Sequence, residues 1–255
     1  MAYVQRAFAP VVAMMSLLAL AGCADGAGGT SSSGSALPGA ASSNTKPPRG
    51  TADAPTVIDV NSERTRLTAG TYALAPIGPS PGPLAIVDIP EGFLNDGPFV
   101  FPQHEDGRGE HADVSRAIGY WTVTGVYTDP CLKESDAADP GPTAEDLAVA
   151  LNAQRRTKAT HPMPVTIGGH DGLYMEVTSP TDLDYGTCQL KTYDYWVSDP
   201  VGGFYTDQRG QVTRLWMIDV KDQRVVIAVA FGPRVPQADI QEVTDIAESA
   251  RFLHP

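Results

Sequence analysis

The chain has 255 residues, 42% of them hydrophobic, so it is long enough to bury a sizeable core. Thirty Asp and Glu against 18 Lys and Arg give a net charge of -12 at pH 7. A surface of that sign repels phosphate backbones, which excludes nucleic acid as the expected partner.

The first element is an apolar run from about Phe8 that contains no charge, preceded by Arg6. It is too short to span a bilayer comfortably and reads as a secretory signal over residues 1–22. It closes on Leu20-Ala21-Gly22-Cys23. That ending looks like a bacterial lipobox, in which Cys23 receives a diacylglyceryl group and becomes the mature N-terminus. The expected location is extracytoplasmic, lipid-anchored to the outer face of the cell membrane, and loss of Arg6 leaves the remainder still more acidic. Residues 24–68 are dominated by Gly, Ser, Ala, Thr and Pro without apolar period, as in Gly29-Thr30-Ser31-Ser32-Ser33-Gly34-Ser35. Such a segment cannot bury enough apolar surface to offset its ordering entropy. The expected organisation is a signal peptide at 1–22, a lipidated flexible linker at 23–68 and one folded domain at 69–255.

From Ala69 the pattern changes. Residues 70–74 and 84–89 read as strands around a Pro/Gly turn region. Residues 118–127 predict one longer strand, with Ile118, Tyr120, Thr122 and Thr124 on one face and Trp121, Val123 and Tyr127 on the other. Thr143-Ala144-Glu145-Asp146 after Pro142 has the form of a capping box. Ala144, Leu147, Ala148 and Leu151 then give one apolar helical stripe, and Arg155 and Arg156 suit its C-terminal end. Leu173, Met175 and Val177 alternate with polar neighbours, and 193–197 predicts a short strand. Residues 215–220 and 225–231 predict an antiparallel hairpin whose second strand is central in its sheet. Pro236 opens a final helix with Ile240, Val243, Ile246, Ala247 and Ala250 inward, and Phe252 packs the chain end. The fold class expected is α+β: a curved antiparallel sheet packed by two main helices.

Two cysteines remain besides Cys23. In an oxidising compartment Cys131 and Cys188 read as one disulfide, the alternative being two free buried thiols.

Several motifs taken together carry a resemblance. Asp129-Pro130-Cys131, Gly141-Pro142-Thr143-Ala144-Glu145-Asp146-Leu147, Gly169-His170-Asp171-Gly172-Leu173-Tyr174-Met175-Glu176, Cys188 and Arg214-Leu215-Trp216-Met217-Ile218-Asp219-Val220 stand in that order. The chain resembles, over residues 69–253, a group of exported actinobacterial domains that are often lipid-anchored. The excess of Arg over Lys, with abundant Ala, Gly, Pro and Asp, fits such a high-GC source. Ile89-Pro90-Glu91-Gly92-Phe93 and the closing helix are also similar to the Mog1/PsbP-like fold. Neither resemblance brings catalytic residues that can be carried over.

The constellations that could hold chemistry are sparse. His104-Glu105 and Glu110-His111 offer zinc-ligand types, but Gly107 and Gly109 speak against the helix that an i, i+4 pair needs. No metal site or cofactor is expected. The serines crowd into the linker, and His161 and His170 lie at turn-like positions, so no nucleophile, base and orienting group stand out. Asp182, Asp184 and Asp194 could pair as glycosidase carboxylates, although an acidic surface loop is the plainer reading. The aromatics either fill the core or line a pocket. On the pocket reading Trp121, Tyr195 and Trp216 share one apolar site, with Arg214 reaching an anionic group of the ligand. The expected function is a non-enzymatic sensor-like or binding module, for a small apolar or lipid-like molecule or an envelope protein partner. The rivals are a hydrolase acting on wall or lipid substrates and a structural accessory subunit of a membrane complex.

Overall fold

The computed structural model describes residues 55–79, 81–103, 115–132 and 137–253. Its elements run, in chain order, β1 (Thr56–Ile58), β2 (Thr65–Arg66), β3 (Gly70–Leu74), β4 (Leu84–Ile89), β5 (Phe93–Asp96), β6 (Phe99–Pro102), β7 (Arg116–Trp121) and β8 (Gly125–Val126). After α1 (Ala144–Asn152) come β9 (Lys158–Ala159), β10 (Met163–Ile167), β11 (His170–Thr178), β12 (Tyr193–Ser198), β13 (Gly202–Thr206), β14 (Val212–Val220) and β15 (Gln223–Phe231). The chain closes with α2 (Gln237–Glu248) and β16 (Arg251–Leu253). The described part is mostly β-sheet with two α-helices, an α+β arrangement. None of its helices is long and apolar enough to cross a membrane.

The central sheet is antiparallel and nine-stranded, in the order β10-β11-β14-β15-β7-β6-β5-β2, with β9 also paired to β11. β15 lies between β14 and β7, and its almost unbroken apolar run follows from burial on both faces. Val225, Ile227, Val229 and Phe231 enter one core layer, and Val226, Ala228 and Ala230 the other. β14 alternates in the same way. Trp216, Ile218 and Val220 join the first layer, while Leu215 and Met217 join the second. The hairpin between them turns at Lys221-Asp222, with Lys221 at φ 56° and Val220 paired to Gln223.

Each face has its own cover. Over the first lie α2, through Ile240, Val243, Ile246 and Ala247, and the four-stranded sheet β1-β3-β4-β16. Over the second lie α1, through Leu147, Ala148 and Leu151, and the three-stranded sheet β13-β12-β8. So, among the described residues, the two helices lie on opposite faces of the central sheet, each beside a smaller sheet.

Three sequence expectations need further correction. Paired strands lie upstream of residue 69, within the stretch expected as a linker. β1 pairs in parallel with β3, Ile58 and Leu67 are core residues, and Leu67 N–H donates to Phe93 O at 2.9 Å. The low apolar density of this stretch hid two short strands whose stability comes from tertiary pairing. Residues 118–127 are not one strand. After Trp121 the chain leaves the central sheet, Thr122 N–H donates to Ile77 O (3.0 Å) and Thr124 N–H to Val197 O (2.9 Å), and β8 joins β12. Gly78 is required at this crossing, because its φ is 143° and a Cβ there would lie 2.6 Å from Thr122 O. Finally, α1 stops at Asn152, so Arg155 and Arg156 lie beyond its last turn. Arg155 pairs with Asp129 at 3.3 Å, and Arg156 adopts φ 65°.

Candidate functional site

The proposed aromatic site does not assemble. Register explains why. Trp121 pairs with Val226, and Val226 with Met217, so Trp121 shares the face of Met217 and not that of its neighbour Trp216. Trp121 sits in the α1-side layer with Phe99, Trp196 and Phe204 at ring distances of 5.8, 5.8 and 5.7 Å. Tyr195 belongs to the same layer, between Tyr193 (5.3 Å) and Phe204 (5.6 Å). Trp216 lies in the other layer, across from Tyr174 at 5.2 Å. All three rings are at most 1% exposed. They fill two cores, so a single apolar site made of Trp121, Tyr195 and Trp216 is ruled out.

Arg214 is also committed within the protein. Its Nε donates to Glu176 Oε1 at 3.0 Å, and its Nη1 donates to Thr244 Oγ1 at 2.8 Å. Its guanidinium lies 5.5 Å from the centre of the Phe231 ring. Tyr174 donates to the same Glu176 oxygen at 2.7 Å. Burial first, and then the Glu176 carboxylate, push the Tyr174 phenol above its ordinary range. The group ties α2 to β11, and these two bonds take up the Nε and Nη1 donors that an anionic ligand would need.

Cys131 and Cys188 are bonded, with Cα atoms 4.6 Å apart. The bridge joins the segment after β8 to the end of a 3-10 turn at Tyr185–Thr187. Two backbone bonds reinforce it: Gln189 N–H to Cys131 O (3.0 Å) and Asp194 N–H to Pro130 O (2.8 Å).

The start of α1 is held by charge. Thr143 and Asp146 form the capping box that the sequence predicted. Asp219, at the end of the β14–β15 hairpin, accepts from Ala144 N–H at 3.0 Å. Its cross-strand partner Arg224 donates to Gly141 O, to Thr143 O at 3.1 Å and to Val123 O at 2.8 Å. Burial lowers the Arg224 pKa, and Asp219, Asp139 and Asp146 oppose that.

A second buried polar group has no charge at all. Ser179, between β11 and the 3-10 turn, donates from Oγ to Gln208 O at 3.0 Å and accepts from Gln211 N–H at 3.0 Å. Thr206 Oγ1 donates to Gln211 Oε1 at 3.0 Å and accepts from Gln208 N–H at 2.9 Å. Tyr185 donates to Pro180 O at 2.9 Å. Full burial holds the Tyr195 phenol well above its ordinary range. The Tyr195 hydroxyl and both ends of the Gln208 carboxamide have no protein partner, although Gln208 is only 8% exposed. Each such buried atom would cost about 1–3 kcal/mol if nothing satisfied it. No periodicity marks Ser179, Gln208 and Gln211 in the sequence, so this cluster could not be anticipated.

Of the other candidate acids and imidazoles, Asp184, Asp194 and His170 make local structural contacts. Asp184 accepts from Gly186 N–H (3.1 Å) and pairs with Arg209 (3.2 Å). Asp194 accepts from Thr192 Oγ1 (2.7 Å), and Asp182 is exposed. The His170 ring stands edge-on to Phe252 at 5.6 Å. Among the described residues no three His, Cys, Asp or Glu side chains are gathered so as to hold a metal ion. Cys23, His104, Glu105, Glu110 and His111 lie outside the described residues.

No family model matches the chain, and no curated protein matches it. Among solved structures it is similar to the solution structure of cyanobacterial PsbP (CyanoP) from Synechocystis sp. PCC 6803, at 10% sequence identity. That likeness covers 66% of this chain and 86% of the other, with a TM-score of 0.29. It is a weak resemblance of fold, and nothing about function is drawn from it.

Proposed function

We propose that the chain is an exported lipoprotein, anchored through Cys23 to the outer face of the cell membrane, whose folded part is a binding module and not an enzyme. The observation that carries this reading is the Cys131–Cys188 disulfide of the folded domain, read with the Leu20-Ala21-Gly22-Cys23 ending of the apolar run. A disulfide persists in an oxidising compartment, and a lipobox supplies both export and anchor. Binding is favoured over catalysis because several described side chains that could do chemistry are engaged elsewhere. Both cysteines of the domain are bonded to each other, His170 packs on Phe252, and Glu176 is held by Arg214 and Tyr174. The target is a small molecule or an envelope partner. The same proposal takes the domain as Mog1/PsbP-like with a curved sheet, supported by the Ile89-Pro90-Glu91-Gly92-Phe93 segment and by the closing α2–β16 unit.

Fractionation of a Cys23→Ala variant tests this reading. The variant should move from the membrane to the soluble fraction while Cys131 and Cys188 stay unreactive to alkylation. A variant that stays in the membrane fraction to the same extent, or free thiols in the protein isolated from cells, would overturn it.

A further inference from the structure

We infer that one edge of the central sheet, from the end of α1 through β10, is the part of the domain that turns toward an anionic lipid surface. Backbone pairing makes this edge continuous. Lys158 and Ala159 of β9 pair with Thr178 and Val177, Thr160 N–H donates to Glu176 O at 2.9 Å, and Met163 of β10 pairs with Tyr174. The chain thus follows β11 from Lys158 to Ile167, with one bulge where His161 and Pro162 both stand opposite Met175. Arg155, just before it, is fixed by its N–H to Thr128 O at 3.0 Å. Among the described residues no strand pairs with the other side of β9 or β10.

The charge of this edge is opposite to that of the chain. No Asp or Glu occurs from Leu147 to His170, in a chain of net charge -12. Arg155, Arg156, Lys158 and His161 are exposed there, and the apolar Met163 is 53% exposed. The neighbouring acids are occupied. Asp129 pairs with Arg155 at 3.3 Å, Glu176 with Arg214 at 3.0 Å, and Asp171 accepts from Thr166 Oγ1 at 2.9 Å. Among the described residues Arg156 and Lys158 have no ion-pair partner. Another strand fits this edge poorly, because Pro162 and Pro164 offer no N–H and the bulge breaks the ladder spacing. Recognition is left to side chains, and unpaired cations beside an apolar side chain suit anionic headgroups over acyl chains. The occupant rests on the anchored reading above, in which Cys23 holds the domain beside such a surface. A cation near an anionic membrane gains about fivefold, so Arg156 and Lys158 together bias the orientation by about 30-fold. The acidic remainder, turned away, is screened over about 8 Å.

Lys158 itself reports the orientation. The full chain is coupled through the Cys23 sulfur to a maleimide lipid, since Cys131 and Cys188 are bonded to each other. The tether is then supplied chemically, so a failure here leaves the export and anchoring reading standing. Acylation of Lys158 by an amine reagent, read by mass spectrometry, is compared with that of Lys221. Lys158 lies across β11 from Val212, whereas Lys221 follows Val220 at the opposite end of β14. On vesicles of phosphatidylglycerol and phosphatidylcholine at low salt, Lys158 should react about tenfold more slowly than on phosphatidylcholine alone, with Lys221 unchanged. High salt should remove most of that protection, and so should Arg156→Glu in a chain of unchanged Tm. Equal reactivity of Lys158 on both vesicles, equal slowing of Lys221, or protection by soluble polyphosphate but not by the anionic vesicle would overturn the inference.

Discussion

Ile58→Ala separates a folded segment from a tether. Ile58 is 3% exposed in the core layer beneath α2, and its carbonyl accepts from Ala75 N–H at 2.9 Å. The side chain before it, Val57, is 49% exposed. Truncating a buried Ile costs the lost transfer energy plus the cavity left behind, about 2–5 kcal/mol. A surface truncation costs within about 0.5 kcal/mol. The substitution should therefore lower the urea midpoint with an unchanged m-value, and Tm by about 4 °C or more, while Val57→Ala stays close to wild type. The comparison is internal, because the two residues are adjacent and differ in which face of β1 they occupy. If Ile58→Ala is as silent as Val57→Ala, the parallel β1–β3 pairing is wrong and the fold starts later in the chain.

The disulfide closes a loop spanning 57 residues, so the Cys131→Ser, Cys188→Ser double variant should lose about 4 kcal/mol by the chain-entropy argument, read by calorimetry. A loss below about 1 kcal/mol would mean that the backbone bonds at Cys131 O and Pro130 O alone hold the segments together. Asp146 gives an acid dependence. Its hydrogen bonds from the Thr143 side chain and backbone lower its pKa, so its contribution is present above the ordinary carboxylate pKa and is lost as pH falls through the lowered value. Asp146→Asn should thus flatten the fall in stability below about pH 4, and an unchanged acid limb would refute that assignment.

Local rules carried far along this chain. The Thr143 cap follows from the capping-box pattern and forms as expected, while the Ala144–Leu151 stripe and the inward face of α2 follow from helical period and are buried. β3 and β4 match the predicted spans, and β15 is central as its apolar run implied. Register and pairing were not legible. Whether Trp121 meets Trp216 depends on how β7 aligns with β15 and β15 with β14, and neither strand's own sequence states it. β1 and β2 are too short to show a period, and they form because β3 and β5 offer open edges. The Asp219–Arg224 clamp on α1 and the Ser179, Gln208 and Gln211 cluster join residues far apart in the chain, so each looked like an ordinary polar position. The aromatic site failed for the same reason: its members were chosen by residue type and predicted strand, without a register to place them on one face.

The proposal of a lipid-anchored envelope protein is tested most directly by the mass of the N-terminal peptide of protein isolated from its native membranes. The predicted result is a peptide that begins at Cys23 and carries a diacylglyceryl group on its sulfur. A peptide that begins at Met1, or one cleaved elsewhere with Cys23 unmodified, would contradict it.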